Sequence, residues 1–272
     1  ARLCSLWAFS FASMMVSPKA FYRKQIYYFH ALSEEGCGLK LKVKLLGYTA
    51  DPELLCGAAA LTSSRSGSPS ELFEGIDLEK ARQTVKRVTG YGHMTVIEHA
   101  SFTFSLEEVS RAMTHQLVRH RIASYTQQSQ RYVKYDTLKS YVTPPTITAN
   151  PEAKKIFAET LEHISEAYNR LLETGIPKED ARYILPNAAK TNIVVTMNAR
   201  ELRHFFNLRC CARAQWEIRE IAMEMLKQVK KIAPSLFENA GPTCVELGYC
   251  PEGKMKPPEC NIEEIKRQFK SL

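Results

Sequence analysis

The apolar residues of this 272-residue chain follow two spacings, one typical of strands and one typical of helices. Segments of the two kinds do not alternate regularly along the chain. Apolar residues alternate with polar ones over residues 39–45 and 101–106, the pattern of half-buried β-strands. A β-branched run over 193–197 predicts a third strand. Elsewhere the apolar spacing is typical of helices, and no strand–helix–strand unit repeats. The sequence therefore predicts an α+β fold.

Proline and glycine mark the predicted helix ends. Asn150-Pro151 begins the clearest helix, whose apolar residues recur every few positions until Gly175. Asp51, as an N-cap before Pro52, begins an earlier helix that runs through Leu61. Apolar spacing predicts further helices over 77–88, 110–118, 177–185, 199–208 and 214–232, with a loop over 62–70.

The two ends of the chain differ in composition from its body. Residues 3–16 are apolar and aromatic, which faintly resembles a secretory signal, but Ala1 stands at the start and no small-residue cleavage site follows. We interpret residues 1–38 as a non-native or extended segment, 39–242 as the folded domain and 243–272 as a tail.

The formal net charge of +8 is concentrated near the start of the chain. Residues 1–48 carry seven basic and two acidic side chains, so the remaining 224 residues contribute only +3. A nucleic-acid-binding module would spread its basic residues over a face and interleave them with aromatic ones. The charge distribution argues against that alternative.

The eight cysteines show no zinc-finger spacing, and a chain of this length does not need disulfides to stabilise its core. We expect reduced thiols and a cytoplasmic protein, with a tail disulfide or structural metal as the alternative. No run of apolar residues reaches the roughly 18 to 20 that a membrane helix needs.

The densest cluster of functional residue types is Arg119-His120-Arg121, followed by Ser129 and Arg131. No acidic residue lies between Glu108 and Asp136 to compensate these cations. Guanidinium groups suit phosphate oxygens, so the stretch favours a bound anion over a solvated charged loop.

Two other segments carry polar side chains of functional types. His93, Glu98 and His99 lie between a helix and a strand, but the six-residue spacing of the histidines is not that of a zinc-binding helix, so we predict no metal. On the predicted helix over 199–208, Arg200 and His204 share a face, whereas Arg200 and Arg209 point in opposite directions. Such a helix suits a position between two sites, as at a subunit interface.

Common nucleotide and nucleophile motifs are missing from the sequence. It contains no glycine-rich Rossmann or P-loop motif, and no Cys–His or Gly-x-Ser-x-Gly arrangement. The residues alone therefore predict only an anion-binding site that is built from separate segments of the chain.

Taken together, these segments resemble the flavin-dependent thymidylate synthase family. Its RHR-x7-S motif is matched by Arg119-His120-Arg121 and Ser129, and four further segments match in order, namely residues 92–99, 101–104, 198–200 and 207–217. The resemblance covers residues 39–242. It implies a single domain with a small, mostly antiparallel sheet and packed helices, assembled as a homotetramer whose active sites are shared between subunits.

The resemblance also implies a ligand for each segment. The residues expected to bind FAD are His93, Thr95, Glu98, Arg119, His120, Arg121, Gln127, Asn198, Arg200 and His204. Those expected to bind dUMP are Gln116, Gln127, Gln128, Ser129, Gln130, Arg131, Arg182 and Arg209. Arg209 is the expected catalytic residue, because its cation next to the uracil favours ionisation at N3. Ser129 is expected to orient the substrate.

The implied reaction is the reductive methylation of dUMP to dTMP, with 5,10-methylenetetrahydrofolate as carbon donor and NADPH as reductant of the FAD. Thr126 and Gln127 stand where the family often has Asn and Glu, which weakens the expected nucleotide contact if a carboxylate is required. The alternative enzyme is another flavoprotein, one that acts on a different uracil substrate.

Overall fold

A four-stranded antiparallel sheet organises the part of the chain that the computed structural model describes, residues 42–135, 140–258 and 260–272. The strands are β1 (Lys42–Tyr48), β2 (Ser101–Ser110), β3 (Ala123–Gln127) and β4 (Lys190–Asn198), in the order β1-β2-β4-β3. The α+β prediction and the three predicted strands are confirmed, and residues 39–41 of the first lie outside the described residues. The sequence analysis did not predict β3, because Ser124, Thr126 and Gln127 give it no hydrophobic period.

One face of this sheet forms the core. Phe102, Phe104 and Leu106 of β2 are fully buried and pair in register with Met197, Val195 and Ile193 of β4. The period of two predicted this, since alternate strand residues point to the same face. Helices then cover that face, with Phe205 and Phe206 from one and Ile218, Ile221 and Met225 from the next.

The helices follow one another along the chain in an order that the predictions largely anticipated. They are α1 (Pro52–Thr62), α2 (Pro69–Glu74), α3 (Leu78–Gly90), α4 (Arg111–Leu117), α5 (Pro145–Thr148), α6 (Pro151–Glu173), α7 (Lys178–Ala181), α8 (Ala199–Arg209), α9 (Trp216–Ile232), α10 (Pro234–Phe237), α11 (Thr243–Leu247) and α12 (Ile262–Lys270). Short 3₁₀ turns lie at Met94–His99, Arg182–Ile184 and Gly253–Met255. Among the described residues, no helix is long and apolar enough to cross a membrane.

Two local predictions were wrong. Residues 62–70 contain the start of α2, whose N-cap Ser68 and N3 residue Glu71 form a reciprocal capping box. Asp51 stands at the N-cap position of α1, but its backbone is left-handed and its side chain caps nothing. The loop prediction rested on the small polar residues of 62–70 and overlooked the capping pattern formed by Ser68 and Glu71.

Residues of the tail fold back onto the main core. Phe269 of α12 is 4% exposed and belongs to the core cluster that also contains Phe237. Its ring lies so close to Gly241 that a Cβ on that glycine would be 2.6 Å from Cδ1 of Phe269. Arg203 of α8 pairs with Glu246 of α11 at 2.5 Å. These contacts attach the tail to the helix that carries Arg200 and Arg209.

Candidate active site

The Arg119-His120-Arg121 motif occupies the turn between α4 and β3. The hydroxyl of Tyr125 lies 2.9 Å from the carbonyl oxygen of Leu117 and 2.7 Å from that of His120. Burial raises the pKa of Tyr125, so its hydroxyl stays protonated and can donate to this turn. A residue of the edge strand thus fixes the backbone of the motif.

The three side chains of the motif in this turn differ in burial. His120 is 4% exposed and packs edge to face on Phe205, with ring centroids 5.0 Å apart. Arg119 and Arg121 are exposed, and their guanidinium groups make no hydrogen bond or ion pair with any described residue. Two cations are therefore available to a ligand, while the histidine between them points into the protein.

His120 lies at the centre of a buried polar cluster. Its Nδ1 is 3.2 Å from Oε1 of Glu201, and its Nε2 accepts a hydrogen bond of 3.1 Å from Nε of Arg209. The ring of His204 is 5.6 Å away, centroid to centroid. Burial, with the nearby Arg209 and His204, lowers the pKa of His120 from 6.5 to about 4. The imidazole is therefore neutral at physiological pH.

A second group joins the 3₁₀ turn to the start of α8. Oε1 of Glu98 accepts a hydrogen bond of 2.5 Å from Nη1 of Arg200, 102 residues later. Asn198 caps α8 by accepting from the backbone N–H of Glu201 at 2.8 Å. His93, the N-cap of the 3₁₀ turn, and Thr95 within that turn are exposed. Five of the predicted flavin residues thus lie on two segments, the 3₁₀ turn with its N-cap and the start of α8, which the Glu98–Arg200 hydrogen bond joins.

The two arginines of α8 contact different partners, as the helical spacing predicted. Arg200 pairs with Glu98, whereas Arg209 donates to His120 and, through Nη2, to the carbonyl oxygen of Gln116 at 3.3 Å. Burial lowers the pKa of Arg209. Gln116, a predicted nucleotide residue, thereby becomes part of the Arg209 environment.

The remaining predicted nucleotide residues form a third group beyond β3. Arg131 forms an ion pair of 2.9 Å with Glu179, and Arg182 donates from Nε to the carbonyl oxygen of Glu179 at 3.0 Å. Ser129 Oγ accepts from the backbone N–H of Arg131 at 3.2 Å. Gln130 Nε2 is buried and has no partner among the described residues. A polar cavity of about 370 Å³ is lined in part by residues 128–130.

The fold brings distant residues next to several side chains of this stretch. Although no acidic residue lies nearby in the sequence, the fold brings the carboxylate of Glu179 to the cation of Arg131, and that of Glu201 to the neutral His120. The amide Nε2 of Gln127 faces Thr114 Oγ1 at 3.2 Å and Thr191 Oγ1 at 3.4 Å. The side chain of Gln127 is therefore engaged by the protein itself.

The sequence analysis missed two residues of this region, Glu201 and Arg111. Nη2 of Arg111 lies 3.5 Å from the carbonyl oxygen of Gln128, and Nε is buried without a partner among the described residues. Burial and the neighbouring Arg182 lower the pKa of Arg111. Nothing in the local sequence marks either residue, although a guanidinium eight positions before the motif is a weak signal.

A metal-compatible arrangement also occurs at this site. Ligand atoms of His120, Glu201 and His204 all lie within 4.8 Å of one another. The prediction of no metal at 93–99 concerned other residues and stays a prediction. At His120, Nε2 already accepts from the cationic Arg209, which disfavours a second cation there.

Comparison with known proteins places this geometry in a family. Residues 44–235 match the family model described as "Thymidylate synthase complementing protein". A flavin-dependent thymidylate synthase of Geobacter sulfurreducens is 48% identical over 235 residues, which cover 85% of this chain and 99% of that protein. The chain belongs to the flavin-dependent thymidylate synthase family. A synthase of Clostridium tetani is 47% identical and covers 81% of this chain and 94% of its own length.

Solved structures agree with this membership of the flavin-dependent thymidylate synthase family. The flavin-dependent thymidylate synthase of Helicobacter pylori, solved with FAD and dUMP, is 25% identical, with a TM-score of 0.59 over 74% of this chain and 99% of that chain. A UMP/dUMP methylase of Streptomyces cacaoi has the same fold, with a TM-score of 0.61 at 24% identity. The small antiparallel sheet with packed helices thus matches the fold of these two solved structures.

Proposed function

We propose that this protein is a flavin-dependent thymidylate synthase of the cytoplasm, an FAD-dependent methyltransferase that converts dUMP to dTMP in de novo dTMP biosynthesis. The observation that carries the proposal is 48% identity to a synthase of that name over nearly its whole length. The site residues support it independently, since the arrangement offers cations to an anionic ligand from several elements. We further propose a homotetramer with shared active sites.

The described residues fit FAD and dUMP as ligands. Arg119 and Arg121 are exposed and have no carboxylate partner among the described residues, so phosphate groups can neutralise them. The buried amide Nε2 of Gln130 and the buried Nε of Arg111 lack partners in the same part of the structure. Buried donors without acceptors are costly, and a bound nucleotide supplies acceptor oxygens.

In this proposal each group has a role. FAD binds to His93, Thr95, Glu98, Asn198, Arg200, His204 and the Arg119-His120-Arg121 motif, with Gln127 nearby. The nucleotide binds to Gln116, residues 127–131 and Arg182, and Arg209 contacts its uracil. The hydroxyl of Ser129 accepts from the Arg131 backbone, which leaves its hydrogen to donate to the substrate. Ser129 therefore orients dUMP.

Arg209 favours the reaction electrostatically. Its half-buried guanidinium next to the uracil stabilises negative charge at N3, and this raises the electron density at C5. The new methyl carbon comes from 5,10-methylenetetrahydrofolate, and the hydrogen that it replaces at C5 leaves as a proton. FAD, reduced by NADPH, supplies the hydride that completes the methyl group. Tetrahydrofolate and NADP⁺ are the other products.

Two measurements test the proposal. The purified protein should show the yellow absorption spectrum of bound flavin, and dUMP, methylenetetrahydrofolate and NADPH together should yield dTMP. Parallel assays with UMP and with uracil-containing RNA would identify a different uracil substrate. A colourless protein that binds oligonucleotides in a salt-sensitive manner would overturn the proposal in favour of a nucleic-acid-binding module.

A further inference from the structure

We propose that Glu201 is a positioning residue, which holds Arg209 in its substrate-binding orientation by fixing the tautomer of His120. This inference rests on the function proposed above. Glu201 does not touch the substrate in this scheme. It acts through the imidazole that lies between the two side chains.

The hydrogen-bond directions around His120 determine its tautomer. A guanidinium group has only donors, so Nε2 of His120 must be the acceptor in its 3.1 Å contact with Nε of Arg209. A neutral imidazole carries one N–H, which must then be at Nδ1. That N–H points at Oε1 of Glu201, 3.2 Å away. The carboxylate is thus the acceptor that keeps the proton away from Arg209.

Both side chains of the His120–Glu201 contact are buried. His120 and Glu201 are 4% and 6% exposed, and Phe205 packs on the imidazole, so water has little access to either polar atom. Burial raises the pKa of Glu201, while the nearby His204 and the position of Glu201 in the first turn of α8, where the helix dipole favours a negative charge, oppose that rise. Its backbone N–H is held by Asn198 at 2.8 Å. The acceptor is therefore fixed on a regular helix.

His120 and the backbone of Gln116 together orient the guanidinium group of Arg209. His120 holds its Nε, and the carbonyl oxygen of Gln116 holds its Nη2 at 3.3 Å. Among the described residues nothing hydrogen-bonds to Nη1, which leaves that edge of the guanidinium for the uracil. Without the carboxylate, the imidazole can take the other tautomer and place an N–H against the N–H of Arg209. The two donors would then move apart, and Arg209 would leave its position.

The variants Glu201→Gln and Glu201→Leu separate this role from simple packing. Glutamine keeps an acceptor oxygen for Nδ1–H, so Glu201→Gln should keep kcat within about threefold of the parent protein. Leucine keeps the volume but not the acceptor, so kcat with saturating dUMP should fall by about 10- to 100-fold while the flavin content is unchanged. A matched control is Glu246→Leu, which removes a carboxylate paired with Arg203 of the same helix and should not change dUMP turnover.

A direct measurement covers the case in which Glu201→Leu does not fold. In the ¹⁵N-histidine-labelled holoenzyme, the His120 resonances should show a protonated Nδ1 and an unprotonated Nε2. The reverse tautomer would overturn the inference, and so would an active Glu201→Leu enzyme with parental kcat. Loss of activity of the parent enzyme on treatment with a chelator would instead assign His120, Glu201 and His204 to a metal. If the parent enzyme makes no dTMP at all, the proposed function fails, and the tautomer measurement still tests the contact.

Discussion

Arg209 donates a hydrogen bond from Nε to Nε2 of His120 across 3.1 Å, although 89 residues separate them in the sequence. The contact joins the end of α8 to the turn that carries the arginine motif. It also connects a residue expected to bind uracil with the motif expected to bind flavin. In the proposed assignment, the flavin site and the nucleotide site therefore meet at one buried imidazole.

Removing the guanidinium of Arg209 should abolish methylation but not flavin binding. The Arg209→Ala variant loses the cation that stabilises charge on the uracil, so we expect dTMP formation to fall by at least about 100-fold. Its absorption spectrum should remain that of the flavoprotein. Loss of FAD in this variant would show that Arg209 holds the cofactor instead.

Arg111 should contribute to nucleotide binding together with Arg182. Two neighbouring guanidinium groups repel each other unless an anion lies between them, and Nε of Arg111 is buried without a partner among the described residues. The Arg111→Gln variant should raise the KM for dUMP by about tenfold with a smaller change in kcat. Lys86→Gln, which removes an exposed cation paired with Glu238, is the control and should leave KM unchanged. An unchanged KM in Arg111→Gln would exclude this role.

Shared active sites predict complementation between inactive variants. Arg182 belongs to the group around Glu179, whereas Arg209 belongs to the group around His120. If each site uses Arg182 of one subunit and Arg209 of another, co-refolded Arg182→Ala and Arg209→Ala chains should recover activity that neither variant has alone. Co-refolding of Arg209→Ala with itself is the control. Failure of the mixture would place both residues in one subunit's site.

His120 should make the folded state sensitive to mild acid. Its pKa is about 4 in the folded chain and 6.5 ordinarily, so between these values the unfolded chain binds a proton that the folded chain excludes. The stabilisation is fully present above pH 6.5 and is lost as the pH falls towards 4, by up to about 3 kcal/mol. Urea unfolding of the parent and His120→Asn should therefore show a stability difference that declines with acid. A constant difference would contradict the low pKa.

Gly241 should tolerate no side chain, because the tail docks there. A Cβ at this position would lie 2.6 Å from the ring of Phe269, so Gly241→Ala should destabilise the fold by about 1–3 kcal/mol and expose α12 to proteolysis. Gly47→Ala is the matched control, since a Cβ at Gly47 meets nothing within 4 Å. Equal urea midpoints for the two variants would mean that Phe269 simply moves aside.

Local patterns predicted most of the regular structure, for physical reasons that particular elements show. The period of two identified β2, because one face of a sheet over a core requires alternate apolar residues. The Asn150-Pro151 cap identified the start of α6, since both residues act on the first turn alone. Strand β3 was missed because it is a short edge strand with polar residues on both faces. The site motif could be recognised from the sequence, because its three arginines and one histidine lie within thirteen residues.

The sequence by itself determined the α+β class, the positions of the principal helices, the unusual run of cations and the opposed directions of Arg200 and Arg209. These properties depend on residue order over one or a few turns. Only the tertiary structure decided which carboxylates meet the cations. Glu179 reaches Arg131 from 48 residues away and Glu201 reaches His120 from 81, and no local rule encodes such distant pairs. Burial of His120 then follows from packing, and with it the low pKa that keeps the imidazole neutral next to Arg209.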